Sequence, residues 1–397
     1  MSFNESNAVI QLPSRDEAPA DSRQLFIDNL RWIAIVLVLS MHAADTYSPL
    51  GSWYYVDRRP IDYSTFVFFA AWQIYLQAFF MGVLFFIAGL FVPFSFDRKG
   101  PGKFIRDRLF RLGLPVLLYM LVIGPITEYF VAQSWTSSEP TSFAQEWIKH
   151  IKNGQVLQES GPLWFCVALL IFSLAYTSIR AVTGRRLLSK PVNDCFPSWR
   201  KIVCFVLLMA TATFALRITR LSTVFNLPVR DFSQYVLLFT VGILAARRRW
   251  LTRLDLRVGV SAIIFALSVG FLAWFAILSC GGFFRGNESA FSGGLHWQSA
   301  AFAIWESATC VAISYGLLAI LRAQFNQQER VAKFMSANAF SVYVFHPPIL
   351  ILAARLLHGF EWPSVLLFLA LTTVAVTSSF ILSALLFRRI PLLKRIL

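Results

Sequence analysis

Arg31 and His42 stand eleven positions apart in LRWIAIVLVLSMHAADTYS, a stretch that is otherwise mostly apolar. As a helix it climbs about 16.5 Å from the arginine to the histidine at 1.5 Å per residue. With Arg31 at one lip of a membrane span, His42 lies past the midplane, toward the opposite face. An ionisable side chain at depth costs roughly 2.5–3.5 kcal/mol on insertion scales. It therefore faces the bundle interior, either for chemistry as a base or as a hydrogen bond between helices. The spacing alone leaves both readings open. Asp45 follows three residues later on the same face. A carboxylate there can orient the ring and keep it basic, although the end of a span equally suits an interfacial carboxylate in water, the commoner setting.

Other groups stand out against the apolar background. FDRKGPGKFIRDRLFRLGLP places Arg98, Lys99, Lys103, Arg106, Arg108 and Arg111 in one loop that runs straight into the next apolar segment. Arg108 and Arg111 project together if helical. Guanidinium forks suit phosphate oxygens, whether of anionic lipids or of a phosphorylated cofactor. SVYVFHPPILI holds a second intramembrane histidine, His346, ahead of Pro347 and Pro348. A proline pair bends a helix and frees carbonyls, which is tolerated where the helix lines a cavity or is buried in protein. Glu306, about nine residues into an apolar run, must be protonated or paired. Gln73 and Gln77 share a helical face and suit hydrogen bonding between helices. Arg217 and Arg220, at the end of another run, suit an anionic acceptor or simple snorkelling to the interface. GPLWF at Gly161–Phe165 reads as an interfacial aromatic anchor, and His150, His296 and His358 fall near outer surfaces.

These residues need a membrane bundle to hold them. The chain of 397 residues is 57% hydrophobic and 14% charged, with a mean hydropathy of +0.60, a balance that a soluble protein of this length cannot solvate. Ten spans are expected, near Leu30–Tyr47, Gln73–Phe94, Leu112–Ala132, Pro162–Ala181, Ile202–Leu216, Phe232–Ala246, Val258–Leu278, Trp297–Leu321, Ala339–Ala354 and Ser364–Phe387. The second apolar stretch begins earlier, near Tyr63, where its first part can tilt or lie in the interface. With the N-terminus inside, 26 of the 36 lysines and arginines fall in inner segments and nine in outer ones. That alternation supports an all-α polytopic bundle with both termini cytoplasmic. It also explains the net charge of +15 without nucleic acid. Residues 1–24 read as a disordered cytoplasmic tail, 25–390 as the ten-span domain and 391–397 as a short basic tail. The outer segment CGGFFRGNESAFSGGLHW suits either a cover over an external site or a connector. Five scattered cysteines form neither a disulfide framework nor a metal-ligand spacing, so no metal is expected. Gly-x-Ser-x-Gly, His-Glu-x-x-His and the P-loop are all missing from the sequence.

Several of these segments together resemble the membrane acyltransferase-3 family: FIDNLRWIAIVLVLSMH, with an arginine, ten residues and a histidine; RLFR at Arg108–Arg111, an Arg-x-x-Arg motif; and FFMGVLFFIAGLF, GPLWF and SVYVFHPP. The resemblance covers about residues 24 to 390 and is nearest to the glucan-biosynthesis type. It implies an inner-membrane O-acyltransferase that takes an acyl group, acetyl or succinyl, from cytoplasmic acyl-coenzyme A to a hydroxyl, often of a glycan, on the far side. On that reading His42 and Asp45 are catalytic. Arg31, Arg108, Arg111 and His346 hold the donor, and Glu306, Arg217 and Arg220 meet the acceptor. A transporter or flippase for a glycan or acylated small molecule is the alternative, favoured by Glu306, the proline-broken ninth span and the outer arginines. Oligomeric state is left open.

Overall fold

A computed structural model describes residues 24–51, 53–57, 59–135, 142–154, 160–183 and 196–396. The expected N-terminal tail lies outside the described residues apart from Gln24, and the end of the chain forms a short helix, Pro391–Ile396. Among the described residues, ten helices are long and apolar enough to cross a membrane: Leu25–Tyr47, Tyr63–Lys99, Pro101–Tyr129, Gly161–Thr183, Trp199–Ile218, Val229–Arg247, Leu256–Arg285, Trp297–Gln324, Arg330–Leu357 and Ser364–Arg389. They are called the first to tenth spans here, and each overlaps one expected from the sequence. The only strands among the described residues form a two-residue hairpin, Thr223–Val224 with Leu227–Pro228.

Three spans depart from the expected outline for local reasons. The second is a single 37-residue helix, about 55 Å long and so longer than a hydrocarbon core of ~30 Å. Nothing in YSTFVFFAAW interrupts it, and Asp62 caps it by accepting from Thr65 N at 3.3 Å and from the Ser64 hydroxyl. The Ser64 hydroxyl first, then the Thr65 side chain and, less, its N–H hold the Asp62 carboxyl down at about 2. The seventh span breaks between Leu256–Leu267 and Val269–Cys280, where Ser268 Oγ donates back to Ile264 O at 2.6 Å, a bond that bends helices. The third span widens twice into π-helical turns, Leu109–Gly113 and Tyr119–Ile123, each shortly ahead of a proline that cannot continue the α-helical ladder.

Glycines set the closest crossings. A Cβ on Gly89 would sit 2.2 Å from Phe239 O and one on Gly242 2.2 Å from Phe86 O, so the second and sixth spans meet backbone to backbone. A Cβ on Gly259 would sit 2.5 Å from Ala319 Cβ and one on Gly316 2.4 Å from Ile263 Cγ1, so the seventh and eighth spans also cross closely. The first span packs against the second, eighth, ninth and tenth. His42 is thus placed among helices rather than against lipid.

Candidate active site

The last turns of the first span present His42 and Asp45 on one face. His42 Nδ1 lies 3.3 Å from Asp45 Oδ2, and Gln73 Nε2 of the second span donates to Asp45 Oδ1 at 2.7 Å. A carboxylate oxygen only accepts, so Nδ1 carries the ring hydrogen and Nε2 keeps its lone pair. The interfacial, watery setting expected for Asp45 is not what the structure shows, since this residue is only 8% exposed. The cause is the segment after the span, which folds back over it. A Cβ on Gly51 would fall 2.2 Å from Asp45 Oδ1, and Trp53 lies flat on the His42 ring, with centroids 4.2 Å apart and planes 11° apart. This strap is tied down further along. Asp57 N donates to Thr46 O, the Asp57 carboxylate meets Arg59 and His358 at 3.1 Å each, and Arg59 donates to Phe360 O and His358 O. Burial, with the Asp57 charge beside it, pushes the Tyr55 phenol up.

His346, fully buried, brings a second imidazole to the first: the rings are 5.5 Å apart and nearly parallel. Its tautomer follows from the sequence. Pro347 has no N–H to give to the carbonyl four residues earlier, that of Tyr343. His346 Nδ1 takes that carbonyl as acceptor at 2.8 Å. The hydrogen is therefore on Nδ1, and Nε2 is a buried lone pair without a hydrogen-bond partner among the described residues. The proline pair expected only to bend the helix thus also orients the ring.

His42 lines a cavity of about 550 Å³ together with Trp53, Tyr54, Glu128, Gly161, Pro162, Trp164 and Asn226. Gly161–Phe165 is accordingly a wall of this cavity and not merely an interfacial anchor. It is held from three sides. Tyr343 donates its hydroxyl to Pro162 O. Asn226, in the left-handed region at φ 60°, donates to Ser160 Oγ at 3.2 Å and Gly161 O at 3.0 Å. Gly161, at φ 50°, lies so near Tyr119 that a Cβ would meet its hydroxyl oxygen at 2.5 Å. Tyr119 in turn bonds Tyr54 at 3.0 Å. Behind Glu128, the helix Phe143–Lys152 docks on the third span. Trp147 Nε1 donates to Leu121 O at 2.8 Å, a carbonyl that Pro125 cannot serve. His150 Nδ1 reaches Glu128 Oε2 at 2.9 Å. His150 is buried, not a surface histidine as expected, because this amphipathic helix lays it against the bundle. His296 is exposed, and His358 belongs to the strap's anchor.

Glu306 is paired, as depth required, and its partner is Arg217. Arg217 Nη2 donates to Glu306 Oε2 at 2.6 Å and to Asp231 Oδ1 at 3.1 Å, with all three residues buried. Arg217 therefore neither snorkels nor reaches an outer surface: its fifth span delivers it between two carboxylates and over the face of Phe302 at 5.4 Å. Arg220 is exposed, with its guanidinium beside Gly294. The segment 279–296 packs on Arg217 through Gly293 and Gly294, and none of its residues lines the His42 cavity, so it is a connector there and not a cover. Gln77 donates to Asp231 Oδ2 at 3.2 Å. One helical turn of the second span, from Gln73 to Gln77, thus links the His42–Asp45 pair to the Arg217 cluster.

At the other end of the bundle the first and third spans bring arginines together. Arg108 has Arg111 and Arg31 as its cationic electrostatic neighbours. It stacks over Phe104 at 5.0 Å and keeps a buried Nε without a hydrogen-bond partner among the described residues. Arg111 is more exposed and pairs with Asp107 at 3.3 Å, as Lys99 does at 2.7 Å; Arg31 pairs with Asp28 at 3.7 Å. Four cations here face two carboxylates. None of these arginines lines the cavity that holds His42.

Sequence reasoning missed Trp53, Tyr54, Glu128, Asn226, Asp231 and Tyr343. Asp231 alone left a signal, as an acid beside Arg230 at the mouth of an apolar run. A family model described as an acyltransferase domain, acyltransferase type 3, matches residues 24–384. No curated protein and no solved structure matches the chain. That match takes in nine of the ten apolar helices and most of the tenth, with the histidine of the Arg-x10-His segment turned inward onto a cavity, and the chain belongs to the acyltransferase-3 family of membrane proteins.

Proposed function

We propose that this membrane acyltransferase moves an acyl group from cytoplasmic acyl-coenzyme A to a hydroxyl, of a glycan, at the opposite face of the inner membrane, with both termini cytoplasmic. One observation carries the reading: His42 presents a ring oriented by Asp45 to a cavity large enough for a sugar. Nε2 takes the hydroxyl proton as the oxygen attacks the thioester carbonyl, and Asp45 balances the imidazolium. The C–S bond then breaks, and the proton passes from Nε2 to the leaving thiolate. Direct transfer needs only this one base, whereas an acyl-histidine route would need the same nitrogen twice.

The arginine end fits the donor's phosphates. Arg108 has a buried Nε without a hydrogen-bond partner among the described residues, and Arg111 and Arg31 are its cationic electrostatic neighbours. The π-helical turns and Gly113 loosen the third span along the way from that end toward the cavity. His346 Nε2 offers an acceptor for an amide N–H of the donor's arm. Arg217 is paired through Nη2 with Glu306 and Asp231, and the three act as a positioning cluster rather than as acceptor contacts. That pairing takes Glu306 and Arg217 away from a transporter reading, which is left with Arg220 and the proline-broken ninth span.

The test is incubation of purified protein with a panel of acyl-coenzyme A thioesters and glycan acceptors, following thiol release and product mass. Acceptor-dependent thiol release with a matching mass gain supports the reading. Vesicle uptake of an unmodified acceptor, without thiol release, overturns it.

A further inference from the structure

The imidazole of His42 has an edge and a face, and each meets a different group. At the edge, Nδ1 lies 3.3 Å from Asp45 Oδ2. Over the face lies the indole of Trp53, 4.2 Å away between centroids and 11° from parallel. His346 is nearly parallel to both rings but further off, 5.5 Å from His42 and 6.0 Å from Trp53, so the indole sits on His42. The chain pins it there from both sides. Ahead of it, Gly51 packs on Asp45 so closely that a Cβ would fall 2.2 Å from Oδ1. Beyond it, Asp57 N donates to Thr46 O at 2.8 Å, and Tyr54 packs its ring edgewise on the indole at 5.3 Å. An indole over a neutral imidazole is packing. Over an imidazolium it is the best side-chain surface for a cation, effective within about 6 Å of the ring centroid and stronger away from water. The His42 side chain is only 19% exposed.

Resting on the O-acyl transfer reading, we propose that Trp53 is a positioning residue that acts through His42, its π face stabilising the imidazolium formed during transfer. Asp45 meets the new charge at the edge of the ring and Trp53 meets it at the face. The proton comes from the acceptor hydroxyl to Nε2 and leaves with the thiolate, so the cation lies under the indole only between those two transfers. The contact is therefore stronger in the transition state than in the resting site, which is the condition for raising a rate. Removing the indole face should slow transfer by about 3–30-fold.

The test keeps the shape of the ring and changes its charge distribution. In full-length protein, Trp53 alone is replaced by monofluoro-, difluoro- and tetrafluorotryptophan, and Trp53→Leu is made beside them. Fluorine draws electron density from the ring face while changing its size little. The single-turnover rate of acyl transfer is measured with saturating donor and acceptor, in proteins of matched melting temperature. The rate should fall stepwise with fluorine number, by about tenfold in all, with half-saturating donor and acceptor concentrations unchanged. Trp53→Leu should be at least as slow as the tetrafluoro protein. A rate that does not follow fluorine number overturns the proposal, because packing alone would survive the series. A constant rate with a rising half-saturating acceptor concentration also overturns it, and makes the indole a platform for the acceptor. The wild type separates the two levels of the argument. If it releases no thiol and adds no mass to an acceptor, acyl transfer fails and this inference with it; if it turns over and the series is flat, only the role of Trp53 fails.

Discussion

Replacing Asp45 with asparagine should do more than remove a charge. Gln73 Nε2 donates to Asp45 Oδ1 at 2.7 Å, and a donor there demands an oxygen opposite it. In Asp45→Asn the introduced amide therefore keeps its oxygen toward Gln73 and turns its NH2 toward His42 Nδ1, which lies 3.3 Å from the other carboxylate oxygen in the native pair. An N–H aimed at Nδ1 holds the ring hydrogen on Nε2, the atom that must accept the hydroxyl proton. A general base contributes about 10²–10⁴ in rate, so kcat should fall by that factor, roughly 3–5 kcal/mol in barrier, with donor and acceptor KM little changed. The assay is thiol release from acyl-coenzyme A with saturating acceptor. The mechanism also forecasts a rescue: adding Gln73→Ala frees the introduced amide to turn its oxygen to the ring, and the double variant should recover about tenfold over Asp45→Asn. An Asp45→Asn protein with more than about a third of wild-type kcat, or a double variant slower than the single, would refute the tautomer argument.

Other expectations are read in the same assays. Arg108→Ala should raise donor KM about tenfold, and Arg111→Ala less, because Arg111 is exposed and already paired with Asp107; equal effects on acceptor KM would count against a donor site. Pro347→Ala restores an N–H that competes for Tyr343 O and releases the His346 tautomer, so donor KM should rise about tenfold while the melting temperature holds or rises. Arg217→Met leaves two carboxylates buried without their cation, which should cost about 3–5 kcal/mol in thermal or denaturant unfolding. Neutralising Asp231 and Glu306 as well should recover most of that loss.

Much of this was readable from residue order alone. Span number, the inward histidine, the shared face of Asp45, the need of Glu306 for a partner and the common face of Gln73 and Gln77 all follow from helical period and the cost of charge in hydrocarbon. What stayed hidden are pairings between distant segments. Arg217 and Glu306 are 89 positions apart, and nothing in either stretch names the other. The strap residues Trp53 and Tyr54 carry no periodic signal, and the neighbour of Glu128, His150, comes from a separate helix 22 positions on. The proline pair showed where the ninth helix would be weakened, but the choice of Tyr343 O by the His346 ring is a matter of side-chain direction.

The central claim is that His42 removes the acceptor's proton. Its most direct test is single-turnover acyl transfer by a His42→Ala protein that melts and elutes like the wild type, with product followed by mass. The account expects transfer at least about 10²-fold slower with donor binding retained. Acylated product at the wild-type rate would contradict it.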